Sequence, residues 1–144
     1  MTAKEFLSRP IILRAKIENK RRQIKRLEDV ATKCTSSITA APGGGQNDSS
    51  MADVVCKIAD LHTEIVRLSH QLTQAEKEVA LLICEIEDDT YSTILEKHYL
   101  DGISIEKISQ EMAYHTSWTY RLHNKAMATA QKILEKRKEA VKSD

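Results

Sequence analysis

The chain is short of the residues that interrupt helices and of those that build thick cores. Two prolines and four glycines serve 144 residues, and three of the glycines stand together at Gly43-Gly44-Gly45. Long uninterrupted elements are therefore expected on both sides of that point. Aromatic residues make up 4% and charged residues 30%, which excludes a deep globular core and matches long helices. No apolar run approaches the roughly 18 residues of a membrane span, and the N-terminus mixes Lys4, Glu5 and Arg9 with few apolar residues, so neither membrane nor secretory signal is expected. Three cysteines, an odd number without metal-ligand spacing, point to a reduced, cytoplasmic setting.

A net charge of +1 conceals an uneven distribution. Residues 1–50 hold 10 Lys+Arg against 5 Asp+Glu, residues 51–90 hold 3 against 9, and residues 91–144 hold 9 against 7. The placement of charge, more than its total, bears on partners.

Regular patterns fill the space between breakers. Thr2-Ala3-Lys4-Glu5 reads as a capping box, and Pro10 suits the first turn of a new helix, or a kink. Leu13, Ile17, Lys20, Ile24, Leu27, Ala31, Cys34 and Ile38 recur at alternating steps of four and three, a heptad seam with one polar intruder. Ala41–Ser50 carries breaker signals throughout and is expected to be a flexible loop. A P-loop is excluded because no Lys-Ser/Thr succeeds the glycines. A second seam runs Val54, Ile58, Leu61, Ile65, Leu68, Leu72, Ala75, Val79, Leu82 and Ile86, with Ser49 or Ser50 as its cap. Two seams around one loop predict an antiparallel helical hairpin over 1–89. Placing Ile38 by Val54 sets Leu27 by Ile65 and Ile24 by Leu68. The basic run Arg21, Arg22, Lys25 and Arg26 could touch DNA, but pairing with the acidic second arm explains it without DNA and is the favoured reading. Lys20 either fixes register or packs its stem and sends its ammonium to water, the commoner arrangement. Val55, Ile12 and Ile83 lie beside the seams and suit a second contact, such as dimerisation or packing on the C-terminal domain.

The acidic cluster Glu85, Glu87, Asp88 and Asp89 opposes a helix dipole at its C-terminal end, so the second arm should break there. Residues 90–144 then read as three helices. Tyr91–Leu100 ends at Asp101-Gly102. Ser104 caps Ile105–Met112. A turn at Ala113-Tyr114-His115 leads to a third helix from Thr116 or Ser117, whose inner face is Thr119, Leu122, Ala126, Ala130 and Ile133. A short helix, a tight turn and a longer basic helix form the helix-turn-helix layout. On the opposite face stand Thr116, Ser117, Tyr120, Arg121, Asn124 and Lys125. Arg bridges guanine O6 and N7, Asn pairs with adenine, and Thr116, Ser117 and the helix N-terminal amides suit phosphates. Trp118 is expected to pack near the helix start, and His123 to pack or meet solvent.

Tyr99-Leu100-Asp101-Gly102, Ile108-Ser109 and Tyr120-Arg121-Leu122-His123-Asn124-Lys125-Ala126-Met127 resemble the fourth region of sigma factors. Together with the Pro42–Gly45 loop and Met51-Ala52-Asp53, they resemble more closely a group of small phage-encoded proteins of Gram-positive bacteria. In that group a helical hairpin with a Pro-Gly-Gly-Gly loop precedes the helix-turn-helix, and the group is similar to ArpU-type and RinA-type phage late transcription regulators. The resemblance implies binding of double-stranded DNA and transcription control, as a homodimer or beside RNA polymerase. Three positions depart from the pattern: Ala113 replaces the usual turn Gly, His115 the usual Ser cap, and Thr119 the common Val. The weaker His cap moves the expected cap to Thr116 or Ser117.

Neither a nucleophile–base constellation, a metal set nor a nucleotide motif is present in the sequence, so no enzyme, cofactor or small-molecule substrate is expected. The reading is an all-α protein: a hairpin (1–89) and a sigma-region-four-like helix-turn-helix domain (90–144) that binds DNA. The competing reading is a protein-interaction module whose hairpin seizes a host or phage protein.

Overall fold

A computed structural model of the chain describes residues 1–38 and 45–143. The fold is all-α, with no strand among the described residues. In chain order, the elements are α1 (Ala3–Ile38), α2 (Gly45–Cys84), α3 (Asp89–Leu95), a π-helical turn (Glu96–Leu100), α4 (Ile105–Met112) and α5 (Thr116–Lys142). The chain divides into two compact units: Met1–Ile12 with Leu72–Asp144, and Leu13–Gln71.

In the unit Leu13–Gln71, the alternating four–three spacing does what it predicts. Ile17, Ile24, Val54 and Leu68 are buried, and Leu13, Leu27, Ile58, Leu61 and Ile65 are half-buried. The segments of α1 and α2 run antiparallel, since Lys16, Asn19, Lys20 and Gln23 line one groove with Glu64, Arg67, Leu68 and Gln71. Farther along, Gln23, Arg26 and Leu27 line another with Lys57, Asp60 and Leu61. Lys20 spans the seam, its Nζ 3.0 Å from Glu64 Oε2.

Two expectations change here. The helix α2 begins at Gly45, not at Ser49 or Ser50, so residues 45–50 are helical and not loop. Extending a helix adds a hydrogen bond for each residue fixed, and Gln, Asn, Asp and Ser cost only tenths of a kcal/mol each, about 0.7 at most, in a helix. The register differs as well: Leu27 shares its groove with Leu61, about one turn from the expected Ile65. Residues 39–44, including Pro42–Gly44 of the expected loop, and the side chains of Cys34 and Ile38 in the seam lie outside the described residues.

In the other unit, the start of α1 is fixed by the capping box: Thr2 N–H donates to Glu5 Oε2 (2.9 Å) and Glu5 N–H to Thr2 Oγ1 (3.2 Å). Pro10 neither starts a helix nor breaks one; it is buried inside α1. Proline removes the N–H that would reach the carbonyl four residues back, here that of Phe6. Arg9 supplies a donor in its place, Nε–H to Phe6 O at 3.3 Å. Its guanidinium also lies 4.4 Å from the Phe6 ring centroid and pairs with Glu78 at 2.5 Å.

One apolar cluster joins both ends of the sequence: Ala3 and Leu7 from α1; Val79, Leu82 and Ile83 from α2, with Ile86 just beyond; Leu95 and Tyr99; and Ala126, Ala130 and Leu134 from α5. Ala3 N–H donates to Gln131 Oε1 at 2.7 Å. Ile94, Ile105, Ile108 and Leu122 form a second cluster that packs α3, α4 and α5 together. The predicted division at 89/90 therefore falls inside this unit, whose main core draws on residues from both sides of it.

Candidate nucleic-acid interface

The link between α4 and α5 is set by local hydrogen bonds. Ser104 Oγ accepts from Lys107 N–H (3.2 Å), the predicted cap of α4. Helix α4 stops at Ala113, which takes the left-handed conformation at φ 57°, ψ 39°. Its N–H donates to Gln110 O, and Tyr114 N–H donates to Ser109 O (2.9 Å). These bonds satisfy carbonyls that the helix end would leave orphaned. Alanine costs about 1–2 kcal/mol in this region. The cap of α5 is His115 itself, not Thr116 or Ser117: its Nδ1 accepts from Ser117 N–H at 3.3 Å. An imidazole nitrogen presents the same kind of lone pair as a serine oxygen, and Ser117 Oγ approaches it at 2.8 Å.

Buried polar groups lock the two helices together. Ser109 Oγ donates to Glu106 O (2.6 Å) and lies 3.3 Å from Thr116 Oγ1. Thr119 is fully buried, with its hydroxyl donating to His115 O at 3.1 Å. A Val in this place would have the same outline but no such bond.

The inner face of α5 is Thr119, Leu122, Ala126, Ala130 and Leu134, with Ile133, the expected last member, half-buried beside it. Opposite it, Thr116, Ser117, Tyr120, Arg121, Asn124 and Lys125 are all exposed. Trp118, expected from sequence to pack, is 43% exposed and joins that face, with Lys125 Nζ 5.6 Å from its ring centroid. Position in the helical repeat could have shown this, because Trp118 and Lys125 are two turns apart and Trp118 precedes the buried Thr119.

Tyr120 donates its hydroxyl hydrogen to Glu106 Oε1 at 2.6 Å. The bond holds the Glu106 carboxyl below the usual carboxylate range and raises the Tyr120 phenol. It also occupies the acid of α4 that stands beside this face; Glu111 is occupied by Lys97 Nζ at 3.0 Å.

Behind the face lies a cluster that the sequence did not announce. The π-helical turn, closed by Asp101 N–H to Glu96 O, sets His98 and Tyr99 against α5. Tyr99 Oη is 2.9 Å from His123 Nε2 and donates toward Met127 Sδ. His98 Nδ1 lies 2.7 Å from Ile103 O. A carbonyl only accepts, so Nδ1 carries the proton. The His98 and His123 rings stand edge to face, centroids 5.6 Å apart. Burial, then the charge of His98, pushes the His123 imidazole below its ordinary value, a contact with Asn124 partly opposing this. Burial alone raises the Tyr99 phenol. His123 is thus a packing residue that seats α5.

No group of three or more His, Cys, Asp or Glu is placed to hold a metal among the described residues. No helix among them is long and apolar enough to cross a membrane. Cys56 and Cys84 are exposed and not in disulfides.

No curated protein and no solved structure matches this chain. A protein-family model does match residues 31–135, a span that contains α2, α3, α4 and most of α5. With most of its length inside that match, the chain belongs to the family described as "protein of unknown function (DUF1492)".

Proposed function

We propose that the chain binds double-stranded DNA with the exposed face of α5 and serves as a transcription regulator of the phage or prophage type. One observation carries this reading. Helix α4, a three-residue turn and α5 hold Thr116, Ser117, Tyr120, Arg121, Asn124 and Lys125 on one exposed surface, while Thr119, Leu122 and Ala126 anchor the opposite side. Arg121 and Asn124 offer the bidentate donors that read guanine and adenine edges. Lys125 and the first turn of α5 offer phosphate contacts. Of the neighbouring acids, Glu111 is paired with Lys97, and Glu106 is held by the Tyr120 hydroxyl. Trp118 adds an apolar edge suited to a thymine methyl group. Action as a homodimer or beside RNA polymerase is part of the same reading.

Purified protein incubated with pooled genomic fragments of its own phage or host, across a salt series, tests it. Selective, salt-sensitive retention is expected, and Arg121→Ala/Lys125→Ala should weaken it by about 2–4 kcal/mol, roughly 30- to 1000-fold. Retention of no preferred fragment by the intact protein at low salt would turn attention to the competing reading, a protein partner. Val55 and Val66, exposed on α2, are the side chains that favour it.

A further inference from the structure

The charge totals predict that the basic segment of α1 is neutralised by the acidic half of the chain, and the structure puts that acid elsewhere. Of the nine acids between residues 51 and 90, the six at 76–89 belong to the unit that contains α5, and only Asp53, Asp60 and Glu64 belong to the unit Leu13–Gln71. Several of the six have work there: Glu78 pairs with Arg9, Glu85 with Arg137, and Asp88 caps α3 by accepting from Tyr91 N–H. In the unit Leu13–Gln71, residues 13–33 hold eight Lys and Arg against three acids. Lys20 takes Glu64 at 3.0 Å, and Arg21 reaches only Glu18 of its own helix, at 3.9 Å. Arg22, Lys25 and Arg26 are exposed, and none is within ion-pair distance of an acid among the described residues. Asp60 lines the same groove as Arg26 without closing a pair.

We infer that this face of α1, centred on Arg22, Lys25 and Arg26, is a second nucleic-acid contact, one that binds the phosphate backbone of duplex DNA without reading sequence. Arg21, Arg22, Lys25 and Arg26 fall within about a turn and a half of helix, roughly 8 Å along its axis. The three of them without an acidic partner among the described residues, Arg22, Lys25 and Arg26, repel one another at that density. A polyanion of matching density relieves the repulsion, and duplex DNA carries one charge per about 1.7 Å of its axis. Guanidinium groups suit the partner further, because their donors form a fork that engages two phosphate oxygens at once. This surface lies apart in sequence from the α5 face, and its existence does not depend on what α5 recognises.

Binding of the full chain to a random-sequence duplex, measured against salt concentration, tests the inference. Arg22→Gln/Lys25→Gln/Arg26→Gln removes three charges from exposed positions at little cost in helix propensity; an unchanged thermal melt verifies that the fold is intact. The slope of log affinity against log salt should fall by about 2–3, and affinity in 0.1 M salt by tenfold or more. An unaltered slope and affinity would overturn the inference. So would competition by polyglutamate as effective as that by duplex at equal charge, which would assign the surface to acidic proteins. Arg121→Ala/Lys125→Ala, measured alongside on selected and random fragments, separates the two readings. If it leaves both kinds of binding unchanged while the triple variant loses them, the α1 surface stands and the α5 reading falls. If it abolishes selective binding while random binding persists and remains sensitive to the triple variant, both stand.

Discussion

Two residues near the α4–α5 turn show how single positions carry disproportionate weight. Ala113 holds a left-handed conformation that glycine enters freely. Relief of about 1–2 kcal/mol is offset by about 0.4–1 kcal/mol from the looser unfolded chain. Ala113→Gly should therefore stabilise the protein by roughly 0.5–1 kcal/mol, seen as a raised urea midpoint with an unchanged slope. His123 works through protonation. Its folded-state value lies below that of an unfolded histidine, so the unfolded chain takes up the proton first. The stability it confers is complete above the ordinary histidine value of about 6.5 and is lost as pH falls through it. Urea midpoints at pH 7.5 and 5.5 should differ more for the natural protein than for His123→Gln, which keeps a hydrogen-bonding partner for the Tyr99 oxygen. That histidine was legible in sequence only as a helix residue of uncertain facing. Its partner Tyr99 arrives through a π-helical turn, and one extra residue in a turn leaves no mark in a spacing pattern.

At the scale of elements, periodic signals served well and punctuation served unevenly. The heptad steps located both seams, Ser104 and the Thr2–Glu5 box marked true helix starts, and Ile105–Met112 has the predicted bounds, because each depends on neighbours within a turn or two. Pro10 misled because its cost is met by a side chain. Arg9 donates to the carbonyl that proline orphans and ties the same turn to Glu78. The two positions should therefore be coupled: Arg9→Ala alone should cost about 1–2 kcal/mol, since it leaves Phe6 O without its donor. Once Pro10→Ala restores the backbone N–H, the cost of Arg9→Ala should shrink by about 0.5–1 kcal/mol. A double-mutant cycle on denaturation free energies measures this coupling; strict additivity would mean that Arg9 does not compensate for the proline. The Ala41–Ser50 breakers misplace the start of α2 for the opposite reason: continuation of a long helix outweighs the small cost of the weak helix formers in Gly45–Ser50.

For the whole molecule, the sequence showed helices and their faces but not which distant helix each face meets. Charge was the clearest case. Complementary totals made the run Arg21–Arg26 look neutralised by the acidic arm, whereas Glu78 pairs with Arg9 and Glu85 with Arg137. Apolar packing gives the same lesson. Residues 90–144 read as a separate domain with hairpin packing through Ile83 as one of two options, and Leu7, Val79, Leu82, Ile83 and Ile86 supply much of the core against which Ala126, Ala130 and Leu134 pack. A fragment of residues 90–144 should therefore lose most of its helical circular dichroism. A chain joining 1–12 to 72–144 through a short flexible linker should keep a cooperative melt. Leu7→Ala in the full chain should cost about 2–5 kcal/mol, although it lies more than a hundred residues before α5 in sequence.

The bond from Ala3 N–H to Gln131 Oε1 and the burial of Leu7 beside Ala130 and Leu134 in one cluster have a consequence for synthesis. Residues 3–7 leave a ribosome more than a hundred residues before 126–134, so the first turns of α1 wait for α5 before they find their core. A prematurely terminated chain holds neither that core nor a seated α5. Such a chain is left open to proteases.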